Sequence, residues 1–174
     1  MKLKELLEGL EILSAKADLE TEIAQVCYDS RQVKPGDLFV ALSGYTVDGH
    51  KFIPQAMASG AAAVLCERDV SGFPHVRTDN TRRALAILGA NWYDHPAEGM
   101  TMIGVTGTNG KTTTTYLLKA VLEKALGARV GLIGTNQNMI GDQVLPTERT
   151  TPESFALQGL FAGMRREGCT PGVM

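Results

Sequence analysis

Hydrophobic positions along the chain change period repeatedly, and the changes predict an alternation of strands and helices. Leucines at helical spacing predict a short amphipathic helix over Met1–Leu13. Strands are predicted over Glu22–Tyr28 and Asp37–Leu42, separated by a turn at Lys34-Pro35-Gly36-Asp37. Gly49–Ser59 reads as a helix ended by Gly60, and Ala61–Glu67 as a buried strand bounded by a glycine and charges. His75–Thr78 reads as a further strand. Asn80 is placed to cap a helix that runs through Ala84, Leu88 and Trp92 to Tyr93. The segment His95-Pro96-Ala97-Glu98-Gly99 breaks the pattern, and we place a domain boundary there, dividing the chain into 1–98 and 99–174.

The second block opens with a buried-type strand, Met100–Val105, followed by a loop, Thr106–Gly110, and a helix over Lys111–Leu126 that ends at Gly127. Arg129–Gly134 is the next strand. A polar stretch with a hairpin around Gly141-Asp142 leads to Thr151, expected to cap a helix with Pro152 at its first position and its end at Glu167-Gly168. Strand, loop, helix, strand, helix favours an α/β fold with a mainly parallel sheet. Only two or three strands are visible in this block. A further one should begin at Pro171-Gly172-Val173-Met174, and we read the chain as an N-terminal fragment of a longer protein.

Composition narrows the function classes. The 174 residues are 44% hydrophobic and 21% charged, with net charge −2 and a pI near 5.9, so disorder is excluded and nucleic-acid binding would need a local basic patch. No run approaches the roughly 18–20 apolar residues of a membrane span, and the N-terminus lacks the apolar core of a secretory signal, which points to the cytoplasm. Cys27, Cys66 and Cys169 form no CxxC pair, and His50, His75 and His95 show no metal-ligand spacing, so neither zinc nor a disulfide framework is indicated.

The chemistry concentrates in Gly104-Val105-Thr106-Gly107-Thr108-Asn109-Gly110-Lys111-Thr112-Thr113. A strand enters this segment and a helix leaves it. Gly107 and Gly110 let main-chain N–H groups converge on an anion, the helix start adds further unpaired N–H groups, Lys111 can reach phosphate oxygens, and Thr112 can ligate magnesium. The strict pattern GxxxxGK[ST] fails because Val105 stands where its first glycine belongs, leaving the shorter GxxGK[ST]. The functional reading is a mononucleotide triphosphate site; the bland one is a glycine turn. Thr113 and Thr114 could face phosphate or fill the first helical turn, and Thr115 reads as structural.

GTNGKTTT followed by RVGLIGT closely resembles the Mur ligases, the ATP-dependent enzymes that build the peptide stem of bacterial peptidoglycan. YDSRQVKPGDLFVALSG and DGHKFIPQAMASGAAAVL resemble their UDP-sugar-binding domain, and LPTERTTPES and GTNGKT resemble the MurE branch. The resemblance implies a small N-terminal α/β domain binding the UDP-sugar, then the beginning of a P-loop central domain. It implies amide-bond formation: ATP, with Mg2+, phosphorylates UDP-N-acetylmuramoyl-L-alanyl-D-glutamate, and a diamino acid (meso-diaminopimelate or L-lysine) attacks the acyl phosphate. The ATP role falls on Gly107, Thr108, Asn109, Gly110, Lys111, Thr112 and Thr113, with Lys111 catalytic through charge neutralisation and Thr112 on the metal.

Ser30 matches the position that contacts UDP, although a turn serine after a strand would look the same. Asp29 and Arg31 beside it could form a structural ion pair. Tyr45 and Thr46 lie where relatives touch the uridine, against the alternative of a plain loop. His50 could be a ligand, or could cap or pack on its helix. Thr150 and Thr151 match the pair that binds the dipeptide end of the substrate, while Arg149 stands where relatives commonly have asparagine. A second magnesium ligand, a carbamylated lysine and the amino-acid pocket would lie beyond residue 174, so this segment alone is expected not to ligate. A monomer is expected, although nothing in the sequence reads out oligomeric state. The alternatives are a MurF-type or folylpolyglutamate-type ligase, and a non-catalytic nucleotide-sugar-binding module.

Overall fold

The structure, a computed structural model, describes residues 1–44, 47–147 and 151–174. The chain forms two compact units, Met1–Trp92 and Tyr93–Met174.

The first unit contains α1 (Leu3–Leu6), β1 (Ser14–Ala15), β2 (Val26–Cys27), β3 (Leu38–Val40), a 3-10 turn (Gly49–Phe52) running into α2 (Ile53–Ala58), β4 (Ala63–Cys66), β5 (His75–Arg77) and α3 (Thr81–Trp92). Its sheet has the order β1-β5-β4-β3-β2, with four parallel strands and β1 antiparallel at one edge. Successive side chains on a strand point to opposite faces. Phe39, Val64 and Cys66 cluster on one face with Ile53 and Ala56 of α2. Leu38, Val40, Ala63 and Leu65 occupy the other and are equally inaccessible. Burial on both faces is what a parallel sheet requires, and it explains why these strands read as continuous apolar runs. The Lys34–Asp37 turn forms as expected: Gly36 has φ 89°, and the Asp37 carboxylate accepts from the Lys34 N–H at 2.8 Å. Asn80 caps α3, its Oδ1 accepting from the Arg83 N–H at 2.9 Å.

One expectation in this unit fails. The helix predicted over Met1–Leu13 is a single turn, Leu3–Leu6. Gly9 takes φ 74°, which ends the helix, and only Leu3, Leu6 and Leu7 of the leucine series are buried. The strand β1 that follows carried no local signal; two residues are extended because β5 pairs with them.

The second unit contains β6 (Thr101–Ile103), α4 (Lys111–Leu126), β7 (Gly131–Leu132), β8 (Asn138–Ile140), β9 (Gln143–Leu145), α5 (Ser154–Arg166) and β10 (Pro171–Val173). The sheet order is β6-β10-β7-β8-β9. The first three strands are parallel, and β8-β9 is an antiparallel hairpin turning at Gly141, so the sheet is mixed and has five strands rather than two or three. The last strand in the sequence inserts between the first two. Its core gathers Ile133, Ile140, Phe161, Met164 and Cys169. Tyr93 packs on Phe155 with ring centroids 5.4 Å apart.

The start of α5 also departs from expectation. Glu153, with extended φ −60° and ψ 150°, is the N-cap, and Pro152 and Thr151 precede the helix. With Glu153 extended, the helix begins at Ser154, two residues later than expected, which leaves Thr151 outside the capping position. Among the described residues no helix is long and apolar enough to cross a membrane.

Candidate functional site

The segment after β6 is shaped by its glycines. Gly107 has φ 154° and Gly110 has φ 78°, conformations that side-chain-bearing residues rarely adopt. Space is not the constraint. A Cβ at Gly107 would meet nothing closer than Asn109 O at 3.7 Å, and one at Gly110 would meet nothing within 4 Å. The backbone therefore turns beside open volume, and residues 106–110 are exposed. Gly110 hands the chain to α4, whose first intrahelical bond, from the Thr114 N–H to Gly110 O at 2.9 Å, leaves the N–H groups of the first turn directed out of the helix end.

Lys111 folds back over this loop and donates to Gly107 O at 2.6 Å. Its ammonium thus spans the mouth of the turn, where an anion would compete with a single carbonyl for it. The loop is anchored at its entry by the Val105 N–H donating to Met174 O at 2.6 Å.

A cavity of about 510 Å3 opens beside the loop. Its walls come from the residues that follow β6, β7 and β10: Thr106 after the first, Gly134 and Thr135 after the second, Met174 after the third. Carboxyl ends of parallel strands are where α/β sheets bind ligands, and the volume suits a nucleotide. Lys111 and Thr112 form the side nearest α4, and Thr151 also lines it. Thr115 closes the floor: it is 3% exposed, and its hydroxyl donates to Thr112 O at 2.9 Å, which holds Thr112 in place. Behind Gly134, the buried Asn138 accepts from its N–H at 3.3 Å.

Of the residues assigned to ATP, then, Lys111 and Thr112 line the cavity, Gly107 to Gly110 form the exposed turn, and Thr113 points to solvent on α4. Thr106, Gly134 and Thr135 were missed. The signal for the last two was present in RVGLIGT, where a glycine and a threonine end an apolar strand. The residues present fit a triphosphate with its divalent cation: the Lys111 ammonium, an open helix start, a threonine hydroxyl, and no carboxylate between residues 104 and 135 lining the cavity.

In the first unit, Ser30 is 8% exposed and its hydroxyl lies 3.4 Å from Gln55 Oε1 of α2. Asp29 and Arg31 form the ion pair considered above, at 2.7 Å. The guanidinium beside it and further N–H donors hold the Asp29 carboxyl well below the usual range. His50 packs rather than caps. Its Nδ1 donates to Asp48 Oδ1 at 2.7 Å and its Nε2 accepts from the Glu67 N–H at 2.9 Å, while Asp48 caps the 3-10 turn. Tyr45, Thr46, Arg149 and Thr150 lie outside the described residues.

Comparison with known proteins agrees with this geometry. Residues 22–93 match the family described as "Mur ligase family, catalytic domain", and residues 105–174 match "Mur ligase middle domain". The UDP-N-acetylmuramoyl-L-alanyl-D-glutamate–2,6-diaminopimelate ligase of Caldanaerobacter subterraneus subsp. tengcongensis is 46% identical over 177 residues, covering all of this chain and 36% of that protein. A solved structure of a ligase of the same name superposes with TM-score 0.73 at 25% identity, over 99% of this chain and 35% of the other. MurF ligase from Thermotoga maritima, solved in complex with ADP, superposes with TM-score 0.56 at 26% identity, over 86% of this chain and 31% of the other. The chain spans about a third of the length of the curated relatives it matches. Two adjoining domains of one family, matched in order by sequence and reproduced in fold, show that this chain belongs to the Mur ligase family.

Proposed function

We propose that these residues form the UDP-sugar-binding and ATP-binding parts of a ligase that adds a diamino acid to UDP-N-acetylmuramoyl-L-alanyl-D-glutamate, working in the cytoplasm where ATP is available. The observation that carries the reading is the Lys111 ammonium held across an open glycine turn, beside a nucleotide-sized cavity at the strand ends. A carboxylate is a poor electrophile at neutral pH, and transfer of a phosphoryl group to its oxygen makes that oxygen a leaving group. The task left to the protein is to orient the triphosphate and to offset charge as it shifts during transfer. Lys111 does the second, and the turn from Gly107 to Gly110 with the first turn of α4 does the first. Mg2+ on Thr112 would supply further charge neutralisation. Thr151 stands on the cavity wall where the acceptor carboxylate would arrive, with Thr150 next to it in sequence. Ser30, Tyr45 and Thr46 are assigned to the UDP end.

The curated relatives at 45–46% identity are named diaminopimelate ligases, which favours the diamino acid over the MurF reaction. The test is calorimetric titration of the chain with ADP, with UDP-N-acetylmuramoyl-L-alanyl-D-glutamate and with folate. Binding of the first two, neither displacing the other, supports the proposal. Preference for folate overturns it.

A further inference from the structure

The strand β7 ends at Leu132, and its ladder with β8 stops at the Leu132–Met139 pair. The chain carries on to the cavity, where Ile133, Gly134 and Thr135 form one wall. Ile133 is still tied to the sheet, its N–H donating to Val173 O at 2.9 Å. Gly134 is tied from the opposite direction. Its N–H donates to Asn138 Oδ1 at 3.3 Å, so a side chain takes over where the ladder stops and closes the turn from Gly134 to Asn138.

Asn138 is out of character for its position. It opens β8, is 4% exposed, and by strand alternation shares a face with Ile140, which sits in the core with Phe161 and Met164. Asparagine is depleted from strands, and a buried amide needs partners that an aliphatic side chain would not. Packing alone gives no reason for it. Gly134 is equally unforced. It does not take a left-handed φ, and a Cβ there would meet Leu132 Cδ2 at 3.6 Å and Gln137 O at 3.8 Å, both ordinary contacts. A glycine required neither by φ nor by crowding suits a wall that a ligand approaches closely.

We propose that Asn138 is a positioning residue for the nucleotide: from behind the cavity it fixes the main chain of Gly134 and Thr135, the wall that shares the cavity with Lys111 and Thr112. This rests on the reading of that cavity as the ATP site. Thr135 and Asn136 are exposed, and an untethered turn there would sample many conformations. Ordering the wall in advance removes that cost from binding.

The test combines titration of the chain with ADP and magnesium, thermal unfolding, and amide hydrogen exchange read by NMR. In the parent, the Gly134 N–H exchanges more slowly than those of Thr135 and Asn136. Asn138→Leu and Asn138→Ala both abolish that difference and raise the Kd for ADP by about tenfold, the equivalent of one hydrogen bond. Their stabilities diverge, because leucine fills the space with apolar atoms and holds or raises the unfolding temperature, whereas alanine leaves a void and lowers it. Asn138→Asp keeps an accepting oxygen at the same reach, so Gly134 stays slow to exchange and the Kd stays within about threefold of the parent. A role in stability alone would move the unfolding temperature and leave the Kd unchanged. Unchanged ADP affinity in either folded variant that lacks the oxygen overturns the proposal. So does fast exchange of the Gly134 N–H in the parent, a result that needs no variant to fold. Failure of the parent to bind ADP overturns the nucleotide reading of the cavity, and the role of Asn138 with it.

Discussion

The two glycine-containing loops of this chain solve opposite problems. In the stem formed by residues 42–44 and 47–49, between β3 and the 3-10 turn, glycine is required because main chain meets main chain, and Glu67 and its neighbour Arg68 clasp it: the Ser43 hydroxyl donates to Glu67, Asp48 bonds His50 and Arg68, and the Gly44 N–H donates to Val47 O. In the turn at residues 106–110, glycine is required by φ alone, and a Cβ would meet nothing closer than 3.7 Å. A stem whose main-chain legs meet this closely benefits from being braced. A loop that wraps a phosphate must keep its donors unspent, because an N–H already bonded within the protein has nothing left for the ligand. The first loop is stabilised by its contacts and the second is made useful by lacking them.

Removing the Lys111 cation at the open turn breaks the comparison most severely. Lys111→Ala deletes the ammonium that now rests on Gly107 O. ADP affinity and any phosphoryl transfer by the protein should fall by about 10²–10³-fold, the usual loss when a preorganised charge at a transferring group is removed. Uridine diphosphate binding, measured in the same titration, should not change. Equal loss at both ligands would mean that the variant had disturbed the fold.

Gly44→Ala tests the braced loop by the opposite route. The added methyl would lie 2.5 Å from Val47 O, so the stem must open. Overpacking of this kind costs about 1–3 kcal/mol, and uridine diphosphate affinity should fall by about ten- to a hundredfold with ADP unaffected. Gly107→Ala brings its methyl no closer than 3.7 Å to Asn109 O, so its penalty comes from φ, about 1–2 kcal/mol.

The two loops also differ in how legible they were. The phosphate turn is a local object. Gly110 and Gly127 punctuate α4 at both ends, and the structure places that helix at Lys111–Leu126, the span read from the sequence. The cavity beside it is only half local. Gly134, Thr135 and Met174 reach it because β10 inserts between β6 and β7, an order that no periodicity encodes. The clasp on the stem was not legible at all: Glu67 served as the charge that ends a strand, and its partner Ser43 is 24 residues away. The leucine series at the N-terminus misled for the same reason. Spacing indicates which face could be buried, but tertiary contacts and Gly9 decide how far the helix runs.

Acid should loosen the braced loop by degrees. N–H donation from the His50 backbone, then from its ring, with Arg68 adding to them, lowers the Asp48 carboxyl to about 2. A carboxyl whose folded value lies below its unfolded value of about 4 contributes stability that is complete above that pH and is lost as pH falls towards 2. The single tryptophan, Trp92, lies at the end of α3 in the same unit and reports its unfolding by fluorescence. The transition temperature should hold steady from pH 7 to about 4.5 and then fall, and Asp48→Asn should flatten that fall. An unchanged slope in the variant would remove Asp48 from the clasp.

The smallest effect sharpens the comparison within the open turn itself. Thr112 and Thr113 are adjacent in sequence and were assigned together, yet the structure separates them: Thr112 lines the cavity, and Thr113 is exposed on α4. Successive helical residues are 100° apart, so two neighbours cannot both face one ligand through their side chains. The Thr113 main chain is different, because its N–H belongs to the first turn and needs no hydroxyl to act. Thr113→Ala should therefore shift ADP affinity by less than about twofold, while Thr112→Ala lowers it by about tenfold, near the value of one hydrogen bond to a charged group. A tenfold loss in Thr113→Ala would show that its hydroxyl reaches the ligand, which would require the first turn of α4 to rotate when nucleotide binds.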